Sequence, residues 1–146
     1  MNTAETIAGH FEALGMTPAD AASRAALFDQ LASRSSRILE GSPEWRRFTP
    51  GRIEIFGKHT DYAGGHSLLA AVPRGIALEA RRRADHIVRV ADVFDGQVVE
   101  VDPTQDAPAH YRGLQRYVHV VARRLWLNFP GCDLGINIAI ASDLPR

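Results

Sequence analysis

Pro50-Gly51-Arg52-Ile53-Glu54-Ile55-Phe56-Gly57-Lys58-His59-Thr60-Asp61-Tyr62-Ala63-Gly64-Gly65 changes character halfway along. Its first half alternates: Ile53 and Ile55 fall on one side of an extended chain, Arg52 and Glu54 on the other. That is the period of a strand with one covered face, so both isoleucines are expected in the core. Its second half places Lys58, His59, Asp61 and Tyr62 between glycines. Glycine permits positive φ and close backbone approach. Few folds need so many polar groups in so short a loop, and Asp, His and Arg are side chains that grip sugar hydroxyls.

Upstream, residues 3–15 read as an amphipathic helix with Ile7, Phe11 and Leu14 on one stripe and Gly15 as its stop. Thr17-Pro18-Ala19-Asp20 offers an N-cap, a proline at the first helical position and an acid in the first turn. A second helix is expected to about Ser33, followed by a connector from Ser35 to Pro50. Downstream, residues 66–72 form an apolar run, with Pro73 expected at a strand end or edge. Further strands are expected at 76–82, 86–94 and 97–101, the last two joined by the turn Asp95-Gly96. Residues 111–127 predict a helix with Leu114, Val118, Val121 and Leu125 on its apolar stripe. Residues 134–141 alternate again, with Ile136, Ile138 and Ile140 on the face expected to be buried. Helices, several strands, a helix and a strand imply an α+β fold with a mixed or antiparallel sheet backed by helices. The division expected is amino-terminal helices over 1–34 and the site-bearing domain over 35–146.

The chain has 146 residues, 45% of them hydrophobic, and a formal net charge of zero. That length can bury roughly 70% of the unfolded surface. Neutrality gives no reason to expect nucleic acid or an anionic membrane as partner. The run Arg81-Arg82-Arg83 reads as a solvated strand end. Cys132, the one cysteine, cannot form an internal disulfide and reads as a small buried apolar residue. No Cys/His cluster has zinc spacing, and no metal site is expected. With no secretory leader pattern and no apolar run of about 18 residues, a soluble cytoplasmic protein is the expectation.

The stretch at 50–65 resembles the galactokinase signature of the GHMP small-molecule kinases, roughly Gly-Arg-x-Asn-x-x-Gly-Glu-His-Thr-Asp-Tyr-x-x-Gly. Gly51, Arg52, Gly57, His59, Thr60, Asp61, Tyr62 and Gly65 match. Glu54 stands where the family has Asn, and Lys58 where it has Glu. The resemblance extends over about residues 25–146. Tyr111 and Tyr117-Val118 fit the family's helix, and Cys132 to Arg146, ending Ala-Ser-Asp-Leu-Pro-Arg, resembles the strand leading to its phosphate-binding loop. It implies the amino-terminal half of the GHMP-kinase fold, truncated, in an enzyme that uses ATP and Mg²⁺ to turn galactose into galactose 1-phosphate.

The resemblance also implies roles. Asp61 accepts from sugar hydroxyls, since an ionised carboxylate makes short, charge-assisted hydrogen bonds. His59 orients Asp61 or donates to the sugar. Arg52 lies near the transferred phosphoryl group and offsets its developing charge. Tyr62 packs within the loop. Gly64 and Gly65 form the turn into the next strand. Lys58 reverses the charge of a sugar-binding Glu; it pairs with Glu54 or Asp61, or meets an anionic group on a different sugar. The sequence has no glycine-rich phosphate loop, and the family's catalytic Asp and metal-binding acid come from a later part of the fold. A truncated gene product that does not bind ATP tightly by itself is therefore expected. The alternatives are a non-catalytic sugar-binding or regulatory relative, and an inactive fragment.

Overall fold

A computed structural model describes residues 3–131 and 135–145. Cys132 and Leu134, of which burial and strand structure are expected, lie outside the described residues. The order is α1 (Thr3–Ala13), α2 (Pro18–Leu39), β1 (Trp45–Phe56), a short 3-10 turn (Asp61–Ala63), β2 (Leu68–Arg82), β3 (Val88–Asp92), β4 (Val98–Val101), α3 (Gly113–Asn128) and β5 (Ile136–Ser142). The strands form one sheet in the order β1-β2-β5-β3-β4. β3 and β4 are antiparallel, with Val88 opposite Val101 and Val90 opposite Val99. β5 runs parallel to β3, with Val88 opposite Ile136 and Val90 opposite Ile138. The sheet is thus mixed, and the fold is α+β.

The chain divides into two compact units: residues 1–29, 48–77 and 142–146, and residues 30–47 and 78–141. In the first, Phe11 of α1 stacks on Phe28 of α2 at 6.3 Å and meets Phe48 of β1 edge-on at 5.3 Å. Thr17 caps α2, its Oγ1 accepting the Asp20 N–H at 3.2 Å and donating to the Asp20 carboxylate at 2.7 Å. This is a side-chain N-cap, with the acid at the third helical position accepting from the cap's own hydroxyl.

Also in the first unit, Arg24 of α2 is buried and pairs with Asp143, just past β5. The other oxygen of Asp143 accepts the Gly75 N–H at 2.8 Å. That bond bears on β2, which runs unbroken through Pro73 as an inner strand of the sheet, where a strand end or an edge was expected. Proline removes a ladder donor. Beside it a side chain, not a neighbouring strand, takes the Gly75 donor.

In the second unit, Val88, Val90, Val99, Val101 and Ala122 form a core against which Leu114, Val118, Ile136, Ile138 and Ile140 pack, partly buried. The β5 isoleucines pack against the core as expected, though less fully buried than the residues between them, and the expected face of α3 shifts. On β5 the fully buried residues are Asn137, Ala139 and Ala141, and the isoleucines are intermediate. Both faces of β5 are covered, and the small residues admit the closer approach. On α3 the buried pair is His119 and Ala122, while Val121 and Leu125 are exposed. The true stripe is rotated because Ala122 lets the helix sit close and because His119 has a partner, Nε2 lying 3.0 Å from the Gln105 carbonyl.

The expected connector from Ser35 to Pro50 is mostly ordered structure. α2 continues to Leu39, which is fully buried, and β1 begins at Trp45. Buried Glu79 of β2 binds Ser35 and receives Arg46 Nε at 2.6 Å. A serine-rich sequence is a poor helix former, so tertiary contacts decide its state here. The arginine run is more engaged than a solvated end. Arg81 donates to the Ser42 carbonyl at 2.9 Å, Arg82 stacks over Trp45 at 5.3 Å, and Arg83 grips Asp85 through two nitrogens and Asn137 through a third. The Arg83 hydrogen bond pulls the Asp85 carboxyl down to about 2.

Candidate functional site

The loop from Gly57 to Ser67 joins the end of β1 to the start of β2. It is built on one carbonyl. The Gly57 oxygen accepts the Thr60 N–H at 3.1 Å, the Thr60 hydroxyl at 2.8 Å and the Ser67 hydroxyl at 3.0 Å. Gly57 has φ +88, and a Cβ there would fall onto the His66 carbonyl oxygen and 2.8 Å from Ser67 Cα. No side chain fits, so glycine is required by conformation and by space.

The loop then turns back on itself. His59 holds a left-handed φ of 63, and the 3-10 turn follows over Asp61–Ala63. The Gly65 N–H donates to the Thr60 carbonyl at 2.8 Å, and a Cβ on Gly65 would press within 2.9 Å of Thr60 Cβ. Gly64, at φ +76, completes the reversal before β2 begins at Leu68.

This geometry places the candidate residues unevenly. Lys58, His59 and Tyr62 are all exposed on the loop, and of these His59 and Tyr62 meet. Tyr62 is 83% exposed and does not pack within the loop as expected; its ring stacks on that of His59, with centroids 5.7 Å apart and planes 15° apart. Arg52 stands on β1 with its side chain exposed, before the loop begins. The backbone of Asp61 opens the 3-10 turn; its side chain lies outside what is described. Gly64 and Gly65 shape the turn. Thr60 and Ser67, given no role by the sequence reading, hold the loop together. Threonine three residues after a glycine was the available signal, because Ser and Thr hydroxyls close local turns onto nearby carbonyls.

Ile53 and Ile55, expected in the core, are 56% and 49% exposed, and Phe56, Leu68 and Leu69 are exposed beside the same loop. Alternation marks one apolar face of a strand, but something must cover that face for it to be buried. Among the described residues no three His, Cys, Asp or Glu side chains gather as a metal site, and no helix is long and apolar enough to cross a membrane. The loop can therefore offer stacked rings, a cation and backbone groups to a small polar ligand.

Comparison with known proteins gives this loop a family context. The galactokinase galactose-binding signature matches residues 39–82, which span the end of α2, β1, the loop and β2. The chain is 34% identical over 99 residues to a galactokinase of Roseiflexus, covering 66% of this chain and 24% of that protein. It is 35% identical over 101 residues to the galactokinase of Lactobacillus helveticus, covering 67% and 26%. In three dimensions it superposes on the crystal structure of Lactococcus lactis galactokinase complexed with galactose with a TM-score of 0.66 and 25% identity, over 82% of this chain and 32% of that one. The chain spans about a quarter to a third of the length of these relatives.

Proposed function

We propose that this chain, which is galactokinase-like in sequence signature and in fold, forms the sugar-facing portion of an ATP-dependent sugar kinase whose acceptor is galactose. The observation that carries the reading is the signature match over residues 39–82, centred on a loop whose glycines and Thr60 have defined structural work. The likeness to a galactokinase holding galactose supports the choice of sugar.

In this reading Asp61, His59, Lys58 and Tyr62 meet the sugar, with Gly64 and Gly65 shaping the turn. A carboxylate accepting from two neighbouring hydroxyls distinguishes sugars by the direction of those hydroxyls. The stacked rings of His59 and Tyr62 offer an apolar flank beside polar edges. Arg52 offers guanidinium N–H groups toward the transferred phosphoryl group, where negative charge develops. ATP with Mg²⁺ supplies the phosphoryl group in the complete enzyme. The described residues give neither a glycine-rich phosphate cradle nor a metal cluster, so no step through nucleotide or metal is assigned to them. The expected setting is the cytoplasm, with a small sugar as partner.

Lys58 supports a second reading, an anionic sugar such as a uronic acid. A cation where the resemblance implies an acid reverses the charge offered to the ligand, and a site built to hydrogen-bond one group discriminates strongly against its loss. Titration of the chain with galactose, glucose and galacturonate, followed by amide chemical shifts of residues 57–66, separates the two. Saturable shifts with galactose and weaker ones with glucose are expected. No response to any of the three sugars overturns the sugar-binding reading for this chain.

A further inference from the structure

Thr60 is the residue through which the loop closes. Its hydroxyl lies 2.8 Å from the Gly57 carbonyl and 3.0 Å from the His66 carbonyl, the two ends of the excursion. Its amide donates to Gly57, and its own carbonyl accepts the amides of Ala63 at 3.0 Å and Gly65 at 2.8 Å. Backbone and side chain of one residue thus tie both ends and the middle of the loop. The glycines at 57 and 65 are the places where a side chain would collide with this arrangement. The two rings of the surface, His59 and Tyr62, flank Thr60 in sequence and stack on each other.

We propose that Thr60 is a positioning residue: its hydroxyl ties the two ends of the loop together and thereby sets His59 and Tyr62 ring to ring, the arrangement presented to the sugar. Its link to a sugar rests on the galactose reading; its action on the loop does not. A hydroxyl has one proton to share between two carbonyls, so it acts as a latch between them. Valine has the shape of threonine without the latch. Serine keeps the latch without the methyl.

The test is nuclear magnetic resonance of the 16.0 kDa chain in wild-type, Thr60→Val and Thr60→Ser forms, with no sugar present. Three quantities are read: ring-current shifts of the His59 and Tyr62 protons, hydrogen-exchange protection of the Ala63 and Gly65 amides, and the thermal midpoint of the whole chain. Thr60→Val should abolish the ring-current shifts and lower the protection of both amides by roughly tenfold, the worth of a well-made hydrogen bond. The amides of β3 and the midpoint should be little changed. Thr60→Ser should restore both local signals. Unchanged ring shifts in Thr60→Val overturn the proposal, and so does a loss that serine fails to restore. A uniform loss of protection across β3 and the loop also overturns it, because the role would then be general stability. Galactose titration of the same samples is a separate arm. Failure of wild-type chain to respond to sugar removes the galactose reading and leaves the loop result to be judged by its own signals.

Discussion

Lys58 and Asp61 carry opposite charges three residues apart in the loop, and each makes its own prediction. If the carboxylate accepts from sugar hydroxyls, Asp61→Asn should weaken galactose binding by about 2–4 kcal/mol, as for removing a charged hydrogen-bond partner. Isothermal calorimetry checks this, and a loss below a factor of three would place Asp61 outside the sugar contact. Lys58→Glu reverses the charge the loop offers and, on the galactose reading, should tighten galactose. A wild-type chain that prefers galacturonate, together with a Lys58→Glu form that binds neither sugar, would move the assignment to an anionic ligand. At Gly57 the expectation is steric. Gly57→Ala puts a methyl group onto the His66 carbonyl at a φ of +88, a conformation that costs a residue with a Cβ about 1–3 kcal/mol. Its loop amides should exchange faster and galactose binding should fall. An alanine variant with wild-type affinity would show that the loop does not need its described shape.

Among the elements, the pair joining α2 to the end of β5 has a signed pH dependence. Partial burial raises the pKa of Asp143, but the hydrogen bonds from Arg24 and from the Gly75 N–H outweigh it and leave it below the usual carboxylate range. A depressed folded pKa means that the unfolded chain takes up the proton first as pH falls. The contribution of this pair is therefore fully present above about pH 4, the ordinary carboxylate value, and is lost as pH falls through the lower folded value. Thermal midpoints from pH 7 to pH 3 should drop more steeply in wild type than in Asp143→Asn. That variant should lose roughly 3 kcal/mol near neutrality, the low end for breaking a buried pair, because Asp143 keeps partial access to water. Equal slopes in the two proteins would remove the pair from the acid response.

Legibility differs from element to element for a physical reason. The loop's glycines could be read in advance, since positive φ and tight approach leave a compositional mark. The alternation in β5 marked a strand but not which face would pack tighter. Ile136, Ile138 and Ile140 are the larger residues, yet Asn137, Ala139 and Ala141 are buried more fully because small side chains let the opposing layer close in. Arg24 and Asp143 carried no sequence signal as a pair, since nothing in a pattern of period two or 3.6 links residues so far apart.

For the whole molecule, the exposed Ile53, Ile55, Phe56, Leu68 and Leu69 set a solubility expectation. Apolar groups left in water on a strand are a liability for association. Ile53→Lys should lower light scattering at high protein concentration and leave the loop's amide shifts unchanged. A rise in scattering would argue that the face is sheltered in solution. Mg-ATP should give no saturable heat with this chain at micromolar concentrations, because phosphoryl transfer relies on a positioned phosphate cradle and metal that its sequence does not carry. Micromolar affinity would reveal a nucleotide site elsewhere in the chain.

The ion pair of Arg24 with Asp143 also has a consequence in time. The two residues are 119 positions apart. A ribosome adding about 5–20 residues per second makes the arginine on the order of ten seconds before its acid. The unit that contains both is assembled from three separate stretches of the chain, the last of which is 142–146. During synthesis α2 thus emerges with a cation that has no counter-charge to bury against; the ring of Phe48, over which it lies at 5.5 Å, follows much sooner than the acid. Vectorial synthesis can build the β3–β4 hairpin early, whereas the unit bearing the Gly57–Ser67 loop closes only when residues 142–146 have left the tunnel.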